Sequence, residues 1–406
     1  MTGSIGVSRP RKDDMNPVIC SIARTPIGRF NGVFTPLSAM DLGGVAMAGA
    51  LDRAGLEPER VDEVIFGHVL QAGQGQITSR QAGVRAGIPM SVPSVTINKV
   101  CLSGMTAIAD AARHIRLGES RFIVAGGMES MTNAPYLLPG ARSGYRIGDA
   151  TIVDAMTHDG LFCTFDSCMM GDTSDLKNDE LHITREDQDA WSARSHERAI
   201  AATDSGVFAK EIVAVTVPQQ RGDPLDVTED GGLRRGTTPE SLANLRPAFN
   251  PSGSTTAGNA SQISDGAASL VIAERGAAEA AGLPLVAEIL SYGQVAGPDA
   301  TLHERPAEAL RVALENASLD VSDLALVEIN EAFAAVAQWS TYMLDIDESI
   351  VNVNGGAVAL GHPLGATGAR IVVTLINALS ESGGSIGGAA LCGGGGQGEA
   401  MIVRMT

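Results

Sequence analysis

ALDRAGLEPERVDEVIFGH, Ala50 to His68, aligns without a gap against ALENASLDVSDLALVEINE, Ala313 to Glu331. Each copy reads as the end of an Ala/Leu-rich helix closed by Ala-Gly-Leu or Ala-Ser-Leu, then an acidic turn, then a short apolar strand. Two further pairs follow in the same order. VTINKVCLSG (Val95 to Gly104) is paired by IVNVNGGAVALG (Ile350 to Gly361), and FIVAGGMES (Phe122 to Ser130) by AALCGGGGQG (Ala389 to Gly398). One match between generic βα units would carry little, whereas three in one order mark a duplication. Apolar strands alternating with Ala-rich amphipathic helices predict α/β halves built of parallel layers.

Between the halves the texture changes. The stretches PYLLPGARSGYRIGD and VPQQRGDPLDVTEDGGLRR flank one expected helix, Arg185 to Ala202, with Thr184 as N-cap and Glu186 and Asp187 in its first turn. Long irregular insertions in enzymes are usually functional loops. The expected organisation is an N-terminal half over 1–130 and 264–284, an inserted loop domain over 131–263 and a C-terminal half over 285–406.

A chain of 406 residues exceeds the roughly 250–300 at which single cores stop growing. Forty-eight glycines with only 4% aromatics ask for close backbone approaches in an Ala/Val/Ile/Leu interior. The opening MTGSIGVSRPRKDDMN is polar and no apolar run reaches a membrane span, so a cytoplasmic protein is expected. A net charge of −18 disfavours nucleic acid and anionic membranes as partners and requires a local basic patch for any anionic ligand. Five cysteines, Cys20, Cys101, Cys163, Cys168 and Cys392, show no zinc-like CxxC pairing, which points to thiol chemistry with no metal.

Cys101 lies where the strand VTINKV meets an Ala-rich helix expected over Thr106 to Leu117. The N–H groups of a helix N-terminus favour a thiolate there and predict a lowered pKa. His362 occupies a corresponding turn, GHPLGATG, in the second half, as a base for Cys101. Asn330 and Glu331 close the strand LALVEI, at the strand end where such folds place their sites. Cys392 precedes GGGGQG. A dinucleotide reading fails, since only eight residues follow Gly398, and the glycines suit backbone N–H groups approaching a reacting oxygen.

NKVCLSGM, GGMESMTNAPY, GNASQISDGAA, NEAFA, NVNGGAVALGHPLGATG and CGGGGQG, in this order, resemble the thiolases from Ile19 to Arg404. The resemblance implies a duplicated five-layered αβαβα fold with an inserted loop domain, assembled as a homodimer or homotetramer. It implies that Cys101 is the acylated nucleophile, His362 its activator and Cys392 the acid/base for the α-proton. Asn330 would orient a water that, with His362, stabilises the enolate-like oxygen, and the amides of Cys101 and Gly394 would form a second oxyanion hole. Coenzyme A, a substrate and not a permanently bound cofactor, would meet Leu161, Met170, Arg234, Ser241, Phe249, Ala257, Ser261, Ala332 and Phe333. Arg234 would supply the local positive charge.

Two positions depart from the pattern of acetoacetyl-CoA-forming members. Met169 stands where histidine is usual, and Leu102 follows the nucleophile where a small residue is usual. Both bear on acyl chain length. The expected activity is acetyl-CoA C-acetyltransferase, with a degradative 3-ketoacyl-CoA thiolase of fatty-acid β-oxidation as the alternative. A ketoacyl synthase is disfavoured by Cys392 and a non-catalytic acyl-CoA binder by the complete catalytic set. A thiol-disulfide switch rests on the Cys101/Cys392 pair alone.

Overall fold

The computed structural model describes residues 16–406; residues 1–15, including most of the polar opening segment and the start of the expected N-terminal half, lie outside the described residues. The first half runs β1 (Pro17–Arg24), α1 (Ala39–Ala54), β2 (Glu63–Gly67), β3 (Ser94–Ile97), α2 (Ser103–Leu117) and β4 (Phe122–Ser130). The chain then leaves the sheet, forms the hairpin β5 (Phe162–Cys163) and β6 (Cys168–Met169) and the helix α3 (Arg185–Asp204), and returns as β7 (Ser264–Glu274). The second half runs β8 (Ala287–Ala296), α4 (Arg305–Ala317), β9 (Leu326–Ile329), α5 (Ala334–Leu344), α6 (Leu364–Ser382), β10 (Ile386–Gly393) and β11 (Gln397–Met405).

The repeat that opens the sequence keeps its registration in space. Gly55 closes α1 in the left-handed region at φ 65° and Ser318 closes α4 at φ 55°. One-turn 3-10 segments follow at Pro58–Arg60 and Val321–Asp323, and then β2 and β9. Ser318, a non-glycine held at positive φ, shows that the helix-to-strand turn itself demands that conformation. The other pairs are looser. VTINKV builds β3, whereas its counterpart makes a single parallel bridge, Val327 to Val351. β4 and β10 correspond, but with residue 123 in the place of 387, an offset of 264 against the 267 of the sequence alignment. Glycine runs carry too little side-chain pattern to fix a register.

The sheet order is β9, β10, β11, β8, β1, β7, β4, β2, β3. Only β2 with β3, β2 with β4 and β9 with β10 are parallel, so the layers are mixed and not all-parallel as the alternation predicts. The cause is local: β10 and β11 are joined by a tight turn, with Gly395 and Gly396 at φ 79° and 68°, and a hairpin can only pair antiparallel. α1 covers one outer face over Leu42, Met47, Phe66 and Val271. α4 and α5 cover the other over Leu310, Val327 and Ile402. β1 and β8 pair at only two positions, so the sheet divides there into two blocks, and α2 and α6 lie between them over Met105, Ile108, Ile371 and Leu391. Helix, sheet, helix, sheet, helix gives the five layers.

Glycines set the closeness of the middle layer. A Cβ on Gly104 would stand 2.8 Å from the amide nitrogen of Ala369, and one on Gly368 would stand 2.4 Å from that of Met105. On Gly127 it would stand 1.9 Å from the carbonyl oxygen of Gly365. Backbone meets backbone, and the starts of α2 and α6 are brought together. Thr184 caps α3 as the sequence predicts, its Oγ1 accepting from Asp187 N at 3.1 Å. Among the described residues no helix is long and apolar enough to cross a membrane.

Candidate active site

Cys101 and His362 each sit just ahead of one of the two central helices. Val100, a β-branched residue, is held at φ 51°, a costly conformation that throws Cys101 inward. Ser103 locks the turn, accepting from Lys99 N at 2.8 Å and donating to Val100 O at 2.6 Å. On the other side Gly361 at φ 117° lets the chain pass Ser264, whose Oγ a Cβ would meet at 2.2 Å. The His362 amide donates to Gln262 O at 3.0 Å.

His362 Nε2 lies 3.3 Å from Cys101 Sγ and Nδ1 lies 2.7 Å from Thr367 Oγ1. Thr367 donates its own proton to Pro363 O at 3.0 Å. Its oxygen therefore accepts from Nδ1–H, which assigns the tautomer and leaves Nε2 free to take the thiol proton. Thr367 is a functional residue that the sequence reading missed, although it stands within GHPLGATG.

The lowered thiol pKa expected from the helix N-terminus is not what the structure gives. Burial pushes the Cys101 thiol up to about 12, outweighing the amides of Gly394 and Cys101 itself, which pull it down. Burial, aided by the Arg370 charge, pushes His362 down to about 3. The resting couple is neutral thiol and neutral imidazole, and the thiolate must be made by proton transfer as bonding begins.

Cys392 ends β10 in a cluster with Leu302, Ala332, Phe333 and Val336. Burial, then the charge of Cys101, raises its pKa as well. Asn330 is fully buried, and neither its Oδ1 nor its Nδ2 has a protein partner among the described residues. Glu331 is committed to structure, accepting from Trp191 Nε1 at 3.0 Å, Ser195 Oγ at 2.7 Å and Val358 N at 3.0 Å.

Two cavities lead to these groups. The larger, of about 470 Å³, is lined by Leu161, Met170, Arg234, Phe249, Ala257, Ser261, Ala332 and Phe333, together with Met169, Arg29 and Gln262. Ser241 is the exception among the expected ligand contacts. It lies on the exposed helix Pro239–Ala243, where its Oγ donates to Thr238 O at 2.8 Å, and does not line the cavity. The smaller cavity, of about 320 Å³, shares Met170 and reaches Val100, Phe165, Leu302 and Gly394. The sulfurs lie beneath these walls, Cys392 against Leu302, Ala332 and Phe333, and Cys101 against Val100 and Leu161.

Arg29 and Arg234 at the larger cavity have no carboxylate within ion-pair distance among the described residues, whereas Arg235 is paired with Asp204. Arg29 was not legible as a site residue, since only folding carries it to Arg234. Leu102 packs into the central core against Gly393, where a Cβ would meet its Cγ at 2.5 Å, and lines neither cavity. Of the two departures, only Met169 faces the ligand space.

Comparison with known proteins accords with this geometry. The family model for the thiolase N-terminal domain matches residues 17–276 and that for the thiolase C-terminal domain residues 283–405. The chain is 51% identical over 387 residues to a "Probable acetyl-CoA acetyltransferase" of Mycobacterium leprae, covering 95% of this chain and 98% of that one. It is 47% identical to the "Acetyl-CoA acetyltransferase" of Escherichia coli, over 96% of this chain and 99% of that one. The crystal structure of the Bacillus anthracis acetyl-CoA acetyltransferase superposes with a TM-score of 0.93 at 40% identity, covering 96% of this chain and 99% of that one.

Proposed function

The chain belongs to the thiolase family, and from that membership and the geometry at Cys101 we propose that it is an acetyl-CoA C-acetyltransferase. It joins two acetyl-CoA molecules into acetoacetyl-CoA and CoA, reversibly. The observation that carries the reading is the 3.3 Å contact of His362 Nε2 with Cys101 Sγ, with the opposite ring nitrogen tied to Thr367. A Claisen condensation needs an activated acyl donor, a base for a weakly acidic C–H and donors aimed at developing charge.

In the first half-reaction Nε2 takes the Cys101 proton as sulfur attacks the thioester carbon. The oxyanion meets the amides of Cys101 and Gly394, and CoA leaves with the proton of Cys392, so that His362 stays protonated beside a Cys392 thiolate. In the second, the Cys392 thiolate takes the α-proton of a new acetyl-CoA, whose enolate oxygen is met by His362 Nε2–H and by a water that the free amide of Asn330 orients. The carbanion attacks the acetyl-cysteine, and Cys101 leaves as thiolate and recovers its proton from His362. Arg29 and Arg234 hold the phosphates of CoA at the mouth, and Ser261 meets the pantetheine amides. No resident cofactor is required.

Met169, Met170, Phe249 and Phe333 crowd the acyl end, with Phe249 and Phe333 in an edge-on pair at 6.2 Å. Four carbons should therefore be the preferred length. Thiolysis kcat/KM across four-, six-, eight- and ten-carbon 3-ketoacyl-CoAs tests this. The expected profile falls after four; one rising through ten carbons would make the degradative reading correct.

The working protein is a cytoplasmic homodimer or homotetramer in fatty-acid and lipid metabolism. β3 is the sheet edge nearest Cys101, with Val95 43% exposed, and pairing with a second copy would remove that open edge. Sedimentation at micromolar concentration should give a dimer or larger, and an active monomer would contradict it.

A further inference from the structure

Cys163 and Cys168 face each other as register partners in the β5–β6 hairpin. Directly opposed residues of an antiparallel pair have Cα atoms about 4.5–5.5 Å apart with side chains on one face. That is inside the roughly 4.4–6.8 Å over which a disulfide closes. The two sulfurs also converge on one hydroxyl–carboxylate couple. Cys163 Sγ donates to Asp166 Oδ2 at 3.3 Å, Thr173 Oγ1 donates to the same oxygen at 3.4 Å, and Cys168 Sγ lies 3.4 Å from Thr173 Oγ1. Both thiols are free, and the condensation uses neither.

The hairpin is also a wall of the ligand space. Phe162, Cys163 and Phe165 line the smaller cavity, and Met169 lines the larger. Phe165 lies against the glycine turn, 3.1 Å from where a Cβ on Gly395 would stand, next to the Gly394 amide that points at Cys101. Closing the bond takes Cys163 Sγ from Asp166 and Cys168 Sγ from Thr173, contacts that hold the turn between the two strands, and so shifts this wall.

We infer that Cys163 and Cys168 form an oxidisable dithiol at the lip of the acyl cavity, a modification site whose closure to a disulfide reversibly slows turnover. The oxidant is a peroxide. Cys168, the more exposed of the two, attacks one peroxide oxygen; the O–O bond breaks, a sulfenic acid forms and hydroxide leaves as water with the thiol proton. The Cys163 thiol then attacks the sulfenic sulfur, the S–O bond breaks, the S–S bond forms and a second water departs. Two thiols and one hydrogen peroxide thus give one disulfide and two waters. Thiols such as glutathione reverse the step by exchange.

The effect on turnover rests on the proposed activity, whereas the bond itself does not, so the test reads both. The native enzyme and a C168S variant are treated with stoichiometric hydrogen peroxide, alkylated without reduction, digested and mapped by mass spectrometry. Thiolysis of acetoacetyl-CoA is followed in parallel. The expected result is a peptide carrying Cys163 and Cys168 two hydrogens lighter than the dithiol, with kcat/KM lowered roughly tenfold, since small misplacements in a site are costly. Dithiothreitol should restore both, and C168S should lose no activity at that dose relative to its own untreated sample. Recovery of both cysteines alkylated after oxidation would overturn the inference. So would a linked peptide at unchanged rate, or an equal reversible loss in C168S, which would move the sensitive thiols to Cys101 or Cys392.

Discussion

At the scale of single residues the chemistry hangs on one proton and where it waits. With Cys101 pushed up to about 12 and His362 down to about 3, neither carries charge across the neutral range. Alkylation of Cys101 by iodoacetamide should therefore rise steadily with pH above neutrality. A plateau between pH 6 and 8 would reveal a standing thiolate–imidazolium pair instead. Thr367 fixes the ring, so Thr367→Val should lower kcat roughly tenfold or more while leaving KM for acetyl-CoA near its value. Loss of the base itself would cost roughly 10²–10⁴. Thr367→Ser keeps the acceptor and should restore most of the rate; equal loss in both variants would make the role one of packing. His362 and Cys392 were legible because each stands beside glycine or proline in a motif, and Cys101 because an apolar strand meets an Ala-rich helix there. Their pKa directions were not, since a helix N-terminus can be read from sequence and full burial cannot.

At the scale of elements, the site exists because α2 and α6 touch through glycine. Gly368→Ala would put a methyl 2.4 Å from the Met105 amide nitrogen, in a layer with no free space. Overpacking of this kind costs about 1–3 kcal/mol. It should lower the denaturation midpoint and also kcat, by parting Cys101 from His362; a variant as active as the parent would show that the helices need not touch. Ala50 to His68 predicted its counterpart well because helix end, turn and strand each have a local signature. The β4 and β10 match slipped by three residues because glycine has none. Mixed strand direction was hidden for a different reason: GGGG reads as easily as an oxyanion loop as a hairpin turn, and in this fold it closes the β10–β11 hairpin.

At the scale of the whole molecule, buried imidazoles set an acid limit. His362 and His303 are pushed to about 3 and His196 to about 4, in each case first by burial. Their folded pKa values lie below that of an unfolded histidine. From about pH 6.5 down to 4 the unfolded chain therefore holds more protons, and stability falls as pH falls. Glu328, raised to about 8 by burial, and Asp265, raised less, act in the opposite sense over part of that window, two groups against three. The urea midpoint should be lower at pH 4.5 than at pH 6.5, and an equal or higher value would mean these rings are hydrated. The duplicated halves supply one cysteine each, Cys101 ahead of α2 and Cys392 near the end of β10, and the most direct test of their division of labour is made on Cys392→Ala. Incubated with acetyl-CoA in deuterium oxide, it should gain one acetyl group on Cys101 by mass while its acetyl-CoA methyl protons fail to exchange. Exchange at the parent rate, or no acetylation of Cys101, would contradict the account.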